Sequence, residues 1–299
     1  MDSPAAERTL DEDGVRQLVR AVAPELTPLP LTRFAEGWDN VTWRLGTEFA
    51  VRIPRRDRSA PLILHEQQAL PLITPALATV GVRTPLPVFA GSPTSDFPWP
   101  WSIVPWLPGG QALGRARDAN TGWAAQLAAA LLALHRTAPA DAPRNPVRGV
   151  PLTMRDESIR VRLTELPPEI ARPLGDVWQG GLDAAPATES VWIHGDLHPG
   201  NILVDADRLS ALIDFGDVTA GDPAYDLAAG WFAFDSEGRH AFRQATAARY
   251  DDATWVRARA WSAAIATILC HDSDDRDDLR TLGFETAAEL ISEAGSPAL

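Results

Sequence analysis

The stretch IHGDLHPGNILVD (193–205) carries a histidine, an aspartate and, five positions after that aspartate, an asparagine. Side chains that serve only a core have no need of this spacing. Apolar residues flank it on both sides, VWI before and ILV after, so the polar set reads as a loop carried between two short strands. Pro199-Gly200 within it opposes a helix. A second acid, Asp214, follows 18 residues after Asp196, in LIDFGD.

Asp196 is suited to orient a hydroxyl, and Asn201 and Asp214 offer hard oxygen atoms that favour Mg²⁺ over zinc, which together is what phosphoryl transfer from a nucleotide needs. The motif admits two other readings. His194 and His198 with Asp196 would make a metal site only on a helix, where i and i+4 align, and the proline opposes that. Aspartates that merely cap turns would leave Asn201 unexplained.

With 299 residues the chain can bury one large core or two ordinary ones, and two lobes are expected. Hydrophobic residues make up 45% and charged residues 22%, with no apolar run approaching a membrane span. MDSPAAERTLDEDG lacks the apolar segment of an export signal, so a cytoplasmic protein is expected; a monomer is expected as well. The net charge of −13 disfavours nucleic acid and anionic membranes as partners and leans towards a cationic one. Cys270 is the only cysteine, which excludes an internal disulfide, and its apolar surroundings read as packing. There is no lysine, so lysine-dependent chemistry is excluded.

Outward from the motif, Val15, Leu18, Val19 and Val22 fall at helical spacing, and residues 31–54 read as three β segments, with Gly46-Thr47 as the turn between the last two. A helix carrying Glu66 follows, with Pro71 disturbing its far end. Strands are expected near Leu86–Phe89 and Trp101–Val104. PWLPGG (105–110) is the best boundary, since proline and paired glycines stop regular structure. Beyond it, Trp123, Leu127, Leu131 and Leu134 mark the face of a core helix, with His135 structural, and Asp222-Pro223 opens the helix AYDLAAGWFAF.

The paired segments HGDLHPGN and LID resemble the aminoglycoside phosphotransferase family, antibiotic kinases of protein-kinase-like fold, whose H-G-D-x-x-x-x-N and I-D signatures are matched at every defining position. The likeness runs from about residue 31 to about residue 235. It implies an α+β, two-lobe architecture: an N-terminal nucleotide-binding β lobe over 1–104, a hinge at 105–110 and a helical catalytic and acceptor-binding lobe over 111–299. It also implies an enzyme moving the γ-phosphate of ATP, with GTP as the alternative, to a hydroxyl of a small molecule, with Mg²⁺ as cofactor. Asp196 would orient or deprotonate the hydroxyl, Asn201 and Asp214 would hold the magnesium, and His194 and Asp226 would brace the loop.

In the nucleotide lobe of such kinases a strand lysine grips the phosphates and pairs with a helix glutamate. Here the strand EFAVRIP offers Arg52, and Glu66 is the only glutamate between Glu48 and Glu157, so the expected pair is Arg52 with Glu66. A guanidinium is wider than an ammonium and can fork across two oxygens. Arg55, Arg56 and Arg58 are expected to be solvated. The loop AEGWDN has a single glycine in place of a glycine-rich cradle, with Asn40 and the backbone near Asp39 as the expected phosphate contacts. At the hinge, the Pro105 carbonyl and the Leu107 N–H would bind adenine, with Val104 lining its pocket.

For the acceptor, Asp235, Glu237 and the acidic run HDSDDRDD (271–278), Asp272 included, would bind the ammonium groups of an aminoglycoside. Trp231, Phe232 and Phe234 would instead form an apolar wall suited to a macrolide. A metabolic alcohol (choline, homoserine or a sugar) and a nucleotide-binding module without catalysis remain as alternatives.

Overall fold

The computed structural model describes residues 5–273 and 276–294. The chain divides into two compact units. One takes in the chain up to Pro108 together with Ala211–Asp217; the other takes in Gly109–Ser210 and the chain from Val218 onward. The short piece that carries Asp214 therefore groups with the N-terminal unit, and the boundary lies inside PWLPGG.

The N-terminal unit is built on an antiparallel sheet. Its strands are β1 (Leu31–Glu36), β2 (Asn40–Leu45), β3 (Phe49–Pro54), β4 (Phe89–Gly91) and β5 (Trp101–Pro105), in the order β1-β2-β3-β5-β4. Gly46 takes a φ of 60° at the β2–β3 turn, a conformation that costs glycine little. Helix α1 (Glu12–Val22) is capped by Asp11, whose carboxylate accepts from the Gly14 N–H at 2.9 Å. Its apolar face, Val15, Leu18 and Val19, packs into a core with Trp43, Val51, Trp101 and Ile103.

Helix α2 (Ala60–Thr79) carries Glu66 as expected and extends beyond Pro71, the residue expected to disturb its far end. It runs on through Pro71 and Pro75 because Leu70, Ile73 and Leu77 are fully buried on one face, and that packing outweighs the lost N–H groups.

The larger unit is mainly helical. It begins with β6 (Gly110–Gln111), followed by α3 (Ala124–Leu134), α4 (Asp156–Leu163) and α5 (Pro168–Asp183). The face predicted for α3, Trp123, Leu127, Leu131 and Leu134, has no exposed surface. Next come β7 (Val191–Ile193), β8 (Ile202–Asp205), β9 (Arg208–Leu212) and β10 (Thr219–Gly221). Strand β7 pairs with β10, and β6, β8 and β9 form a second small sheet in that order.

Helices α6 (Ala224–Leu227), α7 (Ala229–Ala233), α8 (Ser236–Thr246), α9 (Asp252–Asp272) and α10 (Asp277–Ala294) complete it. AYDLAAGWFAF is thus two short helices rather than one. Trp178 of α5 meets Trp261 of α9 edge-on at 5.9 Å between ring centres. No helix among the described residues is long and apolar enough to cross a membrane.

Candidate active site

The loop after β7 is held by one buried carboxylate. Asp226, at the start of the helical run that follows β10, has no exposed surface. Its Oδ2 accepts from the His194 N–H at 2.6 Å and its Oδ1 from the Gly195 N–H at 3.0 Å. His135 bridges Asp226 Oδ2, at 3.1 Å from Nε2, to the Tyr250 hydroxyl, at 2.7 Å from Nδ1. Burial drives the Tyr250 hydroxyl well above its usual range, so it stays protonated. Gly195 sits at a φ of 81°, where a side chain would be strained. Buried N–H groups left unpaired cost about 1–3 kcal/mol each, so this arrangement fixes the loop's backbone firmly.

Asp196 emerges from that frame half-buried. Its N–H donates to His194 Nδ1 at 3.3 Å, and the Asn201 side-chain amide donates to its carbonyl at 2.8 Å and to its Oδ2 at 3.3 Å. Arg148 Nη2 lies 3.1 Å from Oδ1. Burial alone would raise the Asp196 carboxyl, but the Arg148 guanidinium, the two neighbouring histidines and the Asn201 bond outweigh it and hold the group below the usual carboxylate range.

Arg148 escaped the sequence reading because it lies in an irregular loop 48 residues upstream of Asp196. That loop is nonetheless built. Asn145 Oδ1 accepts from the Val147 and Arg148 N–H groups at 3.0 and 3.1 Å, and Arg148 Nη1 donates to the Tyr225 hydroxyl at 2.8 Å. Gly149, at a φ of 62°, passes so close to Ile193 that a Cβ would fall 2.3 Å from its Cδ1.

His198 caps the turn over Pro199–Asn201, its Nδ1 accepting from the Gly200 N–H at 3.1 Å. Among the described residues no group of three His, Cys, Asp or Glu side chains is placed to hold a metal ion. The His194–Asp196–His198 alternative has no such cluster to rest on. Magnesium held by one carboxylate, one amide and substrate phosphates does not need one.

In the N-terminal unit, Arg52 on β3 forks between two acids. Nη1 donates to Glu66 Oε1 at 2.5 Å and Nη2 to Asp214 Oδ1 at 2.9 Å. The same Glu66 oxygen accepts from the Phe215 N–H at 2.8 Å. Glu66 is 2% exposed; burial raises its carboxyl and the nearby Asp214 adds to this, with Arg52 opposing. Burial disfavours the Arg52 charge, but Glu66 and Asp214 outweigh it, and the guanidinium stays charged. Asp214 itself takes a φ of 63°, a left-handed conformation uncommon outside glycine. The clasp on Asp214 and on the next N–H is what over-determines that strained turn.

Of the two residues expected to hold magnesium, Asn201 has its Nδ2 spent on Asp196, so its amide oxygen is the end left to accept, and Asp214 has its Oδ1 engaged by Arg52.

The loop between β1 and β2 corrects one expectation. Arg55 and Arg56 are 5% and 4% exposed rather than solvated, while Arg58 is exposed. Arg55 Nη1 donates to the Gly37 carbonyl at 2.8 Å and pairs with Glu36, and Arg56 Nη2 donates to the Trp38 carbonyl at 3.1 Å and to Asp39 Oδ1 at 2.9 Å. A buried guanidinium needs acceptors, and this loop supplies them to the Nη groups of both arginines. Asn40 opens β2 with its carbonyl accepting from the Gly37 N–H at 2.8 Å and its Oδ1 buried without a partner among the described residues.

Val104 is buried in β5 opposite Ala50. The Trp106 N–H is taken by the Glu48 carbonyl at 2.7 Å, and no hydrogen bond engages the Leu107 N–H among the described residues.

The expected acceptor residues do not gather. Asp235 caps α8, accepting from the Gly238 N–H at 2.9 Å. Glu237 is exposed in the next turn. Trp231 is core: its ring packs near Trp255 at 6.2 Å and its Nε1 donates to Glu293 at 3.0 Å. Asp272 accepts from Arg162 Nε at 3.0 Å. Asp274 and Asp275 lie outside the described residues.

A cavity of about 830 Å³ in the helical unit is lined by Asp118, Asp235, Asp277, Asp278, Glu285 and Glu289, against Arg115 and Arg117, with Phe232 and Pro199 also on its wall. Of the four expected acceptor residues only Asp235 reaches it. Four of its six acids come from α10, which the sequence reading did not single out beyond Asp277 and Asp278.

The family model of the phosphotransferase enzyme family matches residues 30–261. Viomycin phosphotransferase from Streptomyces vinaceus is 29% identical over 160 residues, 50% of this chain and 56% of that protein, so the match spans little more than half of the relative's length. Among solved structures, the GDP and kanamycin complex of APH(2")-IIIa superposes with a TM-score of 0.71 at 20% identity, covering 93% of this chain and 98% of that one. The apoenzyme of macrolide 2'-phosphotransferase MphH from Brachybacterium faecium does so with a TM-score of 0.62 at 21% identity, covering 96% and 98%. At these identities the structures speak for the fold, a β-sheet lobe and a larger helical lobe of protein-kinase-like type. The chain belongs to the phosphotransferase enzyme family.

Proposed function

We propose that this protein is a magnesium-dependent kinase that moves the γ-phosphate of ATP or GTP to a hydroxyl of a cationic small molecule, with an aminoglycoside-type antibiotic as the foremost acceptor class. The observation that carries the reading is Asp196, whose carboxylate is kept ionised and fixed by Asn201 and Arg148 on a backbone locked by Asp226. A carboxylate so fixed orients an acceptor hydroxyl in line with a phosphoryl group and takes up its proton late in a loose transition state, where positioning contributes more than base strength. Asn201 and Asp214 are the residues that would hold the magnesium ion, which would supply neutralisation of charge on the nucleotide phosphates. Arg52, anchored by Glu66, grips a phosphate oxygen with a nitrogen it now directs at Asp214. Val104, Pro105 and Leu107 receive the base.

A cationic acceptor is favoured by the acidic cavity, whose six carboxylates outnumber its two arginines. The macrolide reading loses support because Trp231 and Phe234 are committed to the core. An inactive nucleotide-binding module is disfavoured by Arg52, which pairs with Glu66 as a strand lysine would. The test is coupled ADP release with purified protein, Mg²⁺ and a panel of aminoglycosides, macrolides and small metabolic alcohols. Turnover confined to polycationic acceptors is expected. Turnover with choline, homoserine or a sugar alone would move the protein to metabolism.

A further inference from the structure

The loop that should meet the nucleotide phosphates has one glycine, Gly37, where a cradle of several is usual, and something else must shape it. Arg55 and Arg56 lie beneath it, both almost wholly buried. Every acceptor the structure gives Arg56, and all those described for Arg55, belongs to residues 36–39: the carbonyls of Gly37 and Trp38 and the carboxylates of Glu36 and Asp39. The Arg55 N–H also donates to the Asp39 carbonyl at 2.9 Å, and Ser59 Oγ donates to Asp39 Oδ1 at 2.7 Å.

Two consequences follow from peptide geometry and charge. In a trans peptide the carbonyl and the N–H point in opposite directions, and the described chain has no cis bond. Drawing the Gly37 and Trp38 carbonyls towards the arginines therefore aims the N–H groups of Trp38 and Asp39 the other way. Neither N–H makes a hydrogen bond among the described residues. Consecutive N–H groups on one side of a turn form a concavity for an anion. The ion pairs also neutralise Glu36 and Asp39, which would otherwise repel a triphosphate.

We propose that Arg55 and Arg56 are positioning residues that turn the two peptide planes of this loop, so that the Trp38 and Asp39 N–H groups cradle the nucleotide's phosphates in place of a glycine-rich loop. This rests on the kinase reading above. It assigns the arginines no contact with the nucleotide: they act through the loop.

The test compares wild type with Arg55→Met, Arg56→Met and two milder variants on the accessible side of the clamp, Glu36→Gln and Asp39→Asn. Calorimetry with MgADP and steady-state kinetics give the readouts. Arg55→Met and Arg56→Met should each weaken MgADP and raise KM for ATP about tenfold, with kcat at saturating ATP and the acceptor KM unchanged. Asp39→Asn should have a smaller effect, and adding it to Arg56→Met should cost nothing more, because the two share one interaction. A merely structural role would instead lower kcat and raise both KM values together.

Folded methionine variants that bind MgADP as wild type does would overturn the proposal. Should the methionine variants fail to fold, unaltered MgADP affinity in both Glu36→Gln and Asp39→Asn would overturn it equally. Wild-type protein that binds no nucleotide would remove the kinase reading and this proposal with it, whereas normal wild-type binding with unaffected variants removes the proposal alone.

Discussion

Two loops of this protein are each fixed by buried charge, and the charges are opposite. Behind the HGDLHPGN loop the Asp226 carboxylate gathers two backbone N–H groups; behind the AEGWDN loop two arginines gather two backbone carbonyls. Holding N–H groups inward leaves side chains to do the work outside, and that loop presents Asp196 and Asn201. Holding carbonyls inward turns N–H groups outward, and that loop offers backbone. In the function proposed above, the first device would serve a hydroxyl and a metal, and the second an anion.

The comparison can be broken at either loop. The largest effect is expected at Asp196. Asp196→Asn should lower kcat by on the order of 10³-fold, while KM for ATP stays near wild type. Removing the anchor rather than the worker gives a different signature. Asp226→Asn replaces a buried acceptor of two N–H groups and a histidine with a group that must also donate, and should destabilise the fold by about 3 kcal/mol, seen as an earlier thermal or urea transition. Wild-type stability in that variant would contradict the anchoring role.

In the other unit, Arg52→Lys sharpens the account of the clasp. An ammonium cannot fork between Glu66 and Asp214 as a guanidinium does, so KM for ATP should rise about tenfold, with Arg52→Ala worse. Arg148→Met should reduce kcat several-fold without changing MgADP affinity, because its partner is Asp196 and not the nucleotide; restoration by Lys would support a charge rather than a packing role. The smallest effect concerns Cys270, whose thiol burial pushes up to about 11. Since the thiolate is the reactive form, alkylation by iodoacetamide should be negligible at pH 8 in folded protein and rapid once it is denatured.

Side-chain chemistry was legible in the sequence wherever spacing constrains it. Spacing and residue type single out Asp196, Asn201 and Asp214, whose roles belong to the proposal, and the pairing of Glu66 with Arg52, reached by elimination, is present in the structure. Core faces such as Val15, Leu18 and Val19 followed from periodicity. Asp226, which holds backbone N–H groups, is read from the resemblance, whereas the two arginines that hold backbone carbonyls stay hidden. Arg55 and Arg56 read as solvated because nothing in RIPRRDR says that the carbonyls of a loop some 18 residues away will satisfy them.

Arg148 was invisible for a related reason, since its role depends on a loop whose path is set by Asn145 and Gly149 rather than by a repeating pattern. The continuation of α2 through two prolines shows tertiary burial overriding a local rule. The acceptor residues stay open in sequence because aromatic and acidic side chains on short helices look alike there whether they face a core, a cap or a cavity.

The most direct measurement of the central claim sets the two loops side by side: MgADP affinity by calorimetry and single-turnover phosphate transfer to a saturating aminoglycoside, in wild type, Asp196→Asn and Arg56→Met. The account predicts that Asp196→Asn binds MgADP normally and transfers almost nothing, and that Arg56→Met binds MgADP weakly yet transfers at the wild-type rate once saturated. Normal transfer by Asp196→Asn, or loss of both properties in each variant, would contradict it.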